Sequence, residues 1–240
     1  MESPDRIGLV NENRNALVVR GGWEGHQPVA ATDLFIPYLR DQHFDVRVCD
    51  SPEPYADAAY MATVDLIVQC LSMGEITSEQ CSGLSAAVSA GTGLAGWHGG
   101  IVDSFRNNPD YLHLVGGQFA CHPAKPPHEQ VDGAQDNCFI PYRVTMLPEA
   151  ADHPITTGLA DFDLVTEQYW VLADDYNDVL ATTTHPARAP WHRAVTVPAI
   201  WTRSWGAGRV FVATPGHDLN VLRDPSVRTV IERGMAWASR

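Results

Sequence analysis

Apolar residues in the first hundred positions come in short runs, separated by stretches with helical spacing. Ala16-Leu17-Val18-Val19 is one such run, and it ends at Gly21-Gly22 as a buried strand entering a turn would. Thr32 to Gln42 carries Leu34, Phe35, Tyr38 and Leu39 at helical spacing, with Pro37 set to kink or interrupt the helix. Asp45 to Cys49 alternates polar and apolar residues and reads as a second strand, and Leu66-Ile67-Val68-Gln69 reads as a third. Thr77 and Gln80 have the spacing of a capping box, which predicts a helix running to Ala90 and stopping at Gly91. A fourth strand, Thr92 to Trp97, closes at Trp97-His98-Gly99-Gly100. Repeated strand–helix–strand units predict an α/β fold with a mostly parallel central sheet and right-handed crossovers.

The pattern then changes. Pro123 to Pro141 holds Pro126-Pro127, Gly133 and few apolar residues, so an irregular excursion is expected at about 118–141, a lid or partner surface. Strand patterns return at Tyr142 to Leu147, Val179 to Thr183, Val195 to Trp201 and Arg209 to Ala213. A last helix is expected at Pro225 to Ala238, with Asp224 as N-cap and Pro225 in the first turn. Asp161, Asp163 and Asp174-Asp175 read as solvated loop residues. At 240 residues the chain, 1–240, fits a single large α/β domain.

Composition narrows the function classes. A net charge of −13 argues against a nucleic-acid backbone or an anionic membrane as partner. No apolar run approaches membrane-spanning length, and Met1 to Arg6 has no basic region leading into an apolar stretch, so neither a membrane segment nor a signal peptide is expected. The cysteines at 49, 70, 81, 121 and 138 are odd in number and widely spaced, which predicts reduced thiols in a cytoplasmic protein.

Ligands of open parallel sheets collect at the carboxyl ends of the strands. Three polar segments follow strand ends directly: Gly21-Gly22-Trp23-Glu24-Gly25-His26, Trp97-His98-Gly99-Gly100 and Thr214-Pro215-Gly216-His217-Asp218. The second has the form of a nucleophile elbow, a tight strand-to-helix turn, with His98 where Ser or Cys would stand. His98, His217 and Glu167 are therefore candidate catalytic residues. Gly22, Trp23, His26, Trp97, Gly99, Gly100, His122 and Tyr169 are candidate substrate contacts. His26, His98, His122 and Glu167 are the ligand types that suit zinc or a similar divalent ion, although no short ligand motif is present. His43, His113, His128, His153, His185 and His192 read as surface or capping residues.

Taken together, these segments resemble the ThuA-like (trehalose utilisation) family of the class I glutamine-amidotransferase-like superfamily. The resemblance is carried by Gly21 to His26, Gly96 to Gly100, Gly116-Gly117-Gln118-Phe119 with His122-Pro123, His153-Pro154-Ile155, Glu167-Gln168-Tyr169, and Gly208 through Asp218. It implies a flavodoxin-like three-layer α/β/α sandwich. Amidotransferases of the superfamily carry a cysteine at the elbow and His-x-Glu after a late strand; here His98 holds the cysteine position and His217-Asp218 lacks that spacing, so glutamine hydrolysis is excluded. The resemblance implies a part in disaccharide use, acting on a sugar such as a 3-keto-glycoside by acid/base and metal-assisted cleavage. The alternatives are a non-catalytic sugar-binding or regulatory protein, and a homo-oligomer built through the Pro-rich segment.

Overall fold

The computed structural model describes residues 14–240. The reading of Met1 to Arg6 lies outside the described residues. Each apolar run of the first half becomes a strand followed by helix: β1 (Arg14–Gly22), α1 (Pro28–Asp41), β2 (Phe44–Cys49), α2 (Ala58–Met61), β3 (Leu66–Ser72), α3 (Ser78–Ser89), β4 (Gly93–Trp97) and α4 (Gly99–Val102). There follow α5 (Pro109–Val115), β5 (Gly117–Cys121), β6 (Phe139–Met146), β7 (Phe162–Glu167), β8 (Trp170–Ala173), β9 (Asp178–His185), β10 (Val195–Trp205), β11 (Gly208–Ala213), α6 (Leu219–Leu222) and α7 (Pro225–Ala238).

The large sheet has nine strands in the order β2-β1-β3-β4-β11-β10-β9-β6-β7. β2, β1, β3, β4 and β11 run parallel. From β11 outward, β10, β9, β6 and β7 pair antiparallel. The parallel half follows from sequence: every residue of β3 and β4 is buried, as expected of strands covered on both faces. Alternate residues of β1 serve two cores. Ala16 and Val18 join Phe35 and Leu39 of α1 and Val230, Ile231 and Met235 of α7. Leu17 and Val19 join Leu84 and Val88 of α3 and Tyr111 and Leu114 of α5. The result is the expected α/β/α sandwich.

Local signals hold where they rest on hydrogen bonding. Thr77 and Gln80 form a reciprocal capping box at 2.9 and 3.2 Å. Asp224 accepts from the Ser226 and Val227 amides at 2.9 and 3.2 Å, with Pro225 in the first turn. Helix α1 runs through Pro37 without interruption. Pro37 and Asp33 both lie on the exposed face, so water can reach the Asp33 carbonyl that proline leaves without a donor.

Three short strands have no counterpart in the sequence reading: β5, β7 and β8. Asp163 is not in a loop but on β7, opposite Arg143 of β6, to which it is paired at 2.8 and 2.7 Å. The irregular excursion is narrower than expected, because β5 reaches Cys121 and β6 begins at Phe139. Between them lie two 3-10 turns, Pro127–Glu129 and Gln135–Cys138. His185 is likewise not a surface residue: it is fully buried, donating from Nε2 to the Tyr169 carbonyl at 3.3 Å. No helix among the described residues is long and apolar enough to cross a membrane.

Candidate active site

The elbow is where the chain turns from β4 into α4. His98 sits at φ 49°, ψ −144°, in a region that favours glycine and costs other residues about 1–3 kcal/mol. The surroundings hold it there. Its amide donates to the Ala213 carbonyl at 2.7 Å, and its carbonyl accepts from Ile101 and Val102 at 3.2 and 3.1 Å. The two glycines that follow serve different neighbours. A Cβ on Gly100 would lie 2.7 Å from the Cys70 backbone, so Gly100 lets α4 rest on β3. A Cβ on Gly99 would lie 2.3 Å from the His26 ring, so Gly99 leaves room for that imidazole.

Four side chains from four chain segments meet above this turn. His26 ends the 3-10 turn after β1, His98 forms the elbow, Glu167 ends β7, and His217 follows β11. All four are buried, and one potential ligand atom from each lies within 4.8 Å of the others. Glu167 Oε2 is 3.1 Å from His98 Nε2 and 3.1 Å from His217 Nδ1. The His217 Nδ1 is buried and lies off a hydrogen-bonding direction to that oxygen. His26 and His98 are 4.8 Å apart between ring centres. The Tyr169 ring stacks on His98 at 3.9 Å.

The orientation of His98 is decisive. Its Nδ1 is 2.7 Å from the Thr214 carbonyl, which can only accept, so Nδ1 carries the proton. Burial lowers its pKa, although Glu167 opposes the effect, so the imidazole is held toward its neutral form. Nε2 then presents a lone pair to Glu167. Burial alone would raise the Glu167 carboxyl, but hydrogen bonds and charge from His217 and His98, whenever those rings carry a proton toward it, hold it well below the usual carboxylate range. With the His98 ring neutral, two acceptors face each other at 3.1 Å. His26 is similar: burial, then the neighbouring His98 and His217, push its pKa down to about 3. Its Nδ1 is fixed by Ser72 Oγ at 2.6 Å. Neutral imidazoles anchored through one nitrogen, beside an ionised carboxylate, are what a divalent cation needs.

This set differs at one position from the expected ligands. His217 is in it, and His122 is not. His122 stands on the outer side, with Nε2 3.7 Å from Glu167 Oε1 and its side chain 29 % exposed. It lines a cleft of about 180 Å³ together with Trp23, His26, Phe119, Glu167 and Tyr169. Trp97 does not reach that cleft; it is 2 % exposed and packs on Phe35 at 4.9 Å between ring centres. Gly22 has φ 79°, and a Cβ there would strike the Ser72 carbonyl oxygen, so this glycine permits close approach of β1 and β3. Sequence reasoning missed Met73, Asp103 and Arg106, which also line the cleft, and the anchoring groups Ser72 and Thr214. Ser72 could have been found by extending the third strand past Gln69 through the apolar Cys70-Leu71.

Comparison with known proteins agrees with this architecture. A ThuA-like protein from Bacteroides uniformis ATCC 8492 superposes with a TM-score of 0.71 at 17% identity, covering 94% of this chain and 91% of that one. A ThuA-like protein from Parabacteroides merdae ATCC 43184 gives 0.69 at 16% identity, covering 95% and 90%. A cytoplasmic protein from Salmonella typhimurium LT2 gives 0.62 at 14% identity, covering 94% and 100%. At these identities the likeness speaks for the fold. No curated protein matches the chain. The family model for ThuA, trehalose utilisation, matches residues 15–238, a span that takes in all four of the buried cluster residues, and the chain therefore belongs to the ThuA family.

Proposed function

We propose that the chain is a carbohydrate-processing enzyme that cleaves an oxidised disaccharide or glycoside, a 3-keto-glycoside, with the help of a bound divalent cation such as zinc. The observation that carries this reading is the contact between the bare Nε2 of His98 and the Glu167 carboxylate at 3.1 Å. A cation placed between these two buried acceptors would satisfy both. Three imidazoles and one carboxylate form a donor set that suits zinc or a similar ion. When bound, the cation would polarise a substrate carbonyl.

The proton transfers fall to a residue outside that set. His122 lines the cleft and is the imidazole there with solvent access. A ketone at C3 acidifies the C2 proton. His122 removes that proton, and the C–H electron pair moves into the enolate of the ketone. As the carbonyl re-forms, a C1–C2 double bond appears and the C1–O bond breaks. The glycosidic oxygen leaves with that pair and takes the proton back from His122. Trp23, Phe119 and Tyr169 supply an aromatic wall for the apolar face of the sugar ring. The free cysteines fit a reducing, cytoplasmic setting.

The test is mass-spectrometric analysis of 3-keto-trehalose incubated with the protein, before and after chelation. Cleavage that is lost on chelation, restored by zinc and lowered at least 100-fold in His98→Ala is the expected result. Cleavage that survives complete metal removal would overturn the role of the cation. Binding of the sugar with no turnover under any condition would favour the non-catalytic sugar-binding protein instead.

A further inference from the structure

A second cleft, of about 450 Å³, reaches the same cluster from the other side of the Trp23–Gln27 turn. His217 lies on its wall, whereas His26 and Glu167 lie on the wall of the first cleft. His26 and His217 are 5.3 Å apart between ring centres, so the two clefts approach within one side chain of each other at the cluster. Trp23 stands at this divide, its ring 4.7 Å from His26 and 6.4 Å from His217. It is 41% exposed.

The two walls differ in chemistry. The first cleft is aromatic and holds His122. The second is lined by the polar residues Gln27, Gln135, Asp136, Asp218, Asn220 and Arg223, with Phe139 against His217 at 5.1 Å. Among the described residues Gln27, Asn220 and Arg223 hydrogen-bond through their backbone only. Amides and a guanidinium with free donors suit the hydroxyls of a neutral polyol. Size points the same way. Pockets that enclose a ligand of drug size usually measure about 300–1,000 Å³. The first cleft, at about 180 Å³, is too small for two sugar rings.

Resting on the glycoside-cleaving reading above, we propose that the second cleft is the subsite for the unoxidised sugar unit of the substrate. The oxidised ring occupies the first cleft, the second ring lies among Gln27, Asn220 and Arg223, and the glycosidic oxygen crosses the divide beside Trp23. The substrate class is then a disaccharide or sugar–sugar glycoside in preference to a simple alkyl glycoside. The Gln135–Cys138 turn, which carries Gln135 and Asp136, makes the excursion part of this wall.

The test compares kcat/KM for 3-keto-trehalose and for methyl 3-keto-glucoside in the wild type and in the double variant Asn220→Ala, Arg223→Ala. Both positions are exposed, so folding is preserved, and a thermal melt checks it. The wild type is expected to prefer the disaccharide at least tenfold. In the double variant that preference falls at least tenfold, through KM and not kcat. A wild type without preference, or a ratio unmoved by the substitutions, overturns the subsite while leaving the cleavage reading intact. If neither compound is turned over, the cleavage reading fails. The subsite is then decided by saturation-transfer NMR with trehalose itself: transfer that disappears in the double variant supports it, and absent or unchanged transfer overturns it.

Discussion

Between His98 and Glu167, two lone pairs face each other in a buried space, and this sets the residue-scale behaviour of the site. In Glu167→Gln the side chain keeps its shape but gains N–H donors that can satisfy His98 Nε2. The metal-free variant should therefore be as stable as the wild type or more stable by about 1 kcal/mol, the usual worth of a hydrogen bond. Its affinity for zinc should fall by at least 100-fold, because the anionic ligand is gone. Urea unfolding of the chelated proteins, with calorimetric zinc titration, checks both halves; a variant that is less stable by 2 kcal/mol or more would show that the carboxylate was well satisfied without a cation. The same cluster fixes the response to acid. His26 is held neutral in the fold, its pKa lowered from 6.5 to about 3, so the unfolded chain binds the proton first. The associated stability is complete above about pH 6.5 and is lost as pH falls toward 3. The urea midpoint of the chelated protein should thus drop steadily from pH 7 to pH 5, and the slope should flatten in His26→Gln.

The two glycines of the elbow separate positioning from packing at the scale of the element. In Gly99→Ala the new methyl meets a side chain, His26, 2.3 Å away, which can swing aside. Zinc affinity and activity should fall at least tenfold with a modest change in melting temperature. In Gly100→Ala the methyl meets the Cys70 backbone at 2.7 Å, so α4 must lift from β3, and overpacking of this kind costs about 1–3 kcal/mol. Thermal melts and zinc titrations of both variants test the contrast; equal stability losses would count against it. This region was legible in sequence because its signals are local. The apolar run into Trp97, the glycine pair and the capping box of α3 each depend on neighbours in the chain. β7 was not legible: it is a half-exposed edge strand whose Asp163 and Val165 point outward, and nothing near them in sequence announces the pairing with β6. Glu167 was visible as a candidate, but its meeting with three histidines is a product of strand order. The presence of His217 in place of His122 in the buried cluster has the same origin, since which imidazole looks inward depends on how the loops after β5 and β11 close over the sheet.

The whole molecule is two sheets' worth of topology joined at β11. The parallel half delivers His26, His98 and His217 from the carboxyl ends of β1, β4 and β11, and the antiparallel half delivers Glu167 from the far edge strand, β7. A cation bound to all four would tie the two halves together across the sheet. Binding to the folded state alone stabilises by about 2.7 kcal/mol when free ligand is at 100 times Kd. For a chain of this size each kcal/mol raises the midpoint by about 2–4 °C, so saturating zinc should raise Tm by about 5–10 °C over the chelated protein. The net charge of −13 adds a general attraction for cations, and salt screens it, so the two contributions can be separated. A shift that persists in 0.5 M sodium chloride and vanishes in Glu167→Gln belongs to the cluster. A shift that fades with salt and survives in that variant is surface attraction, and would leave the four residues without a metal to share.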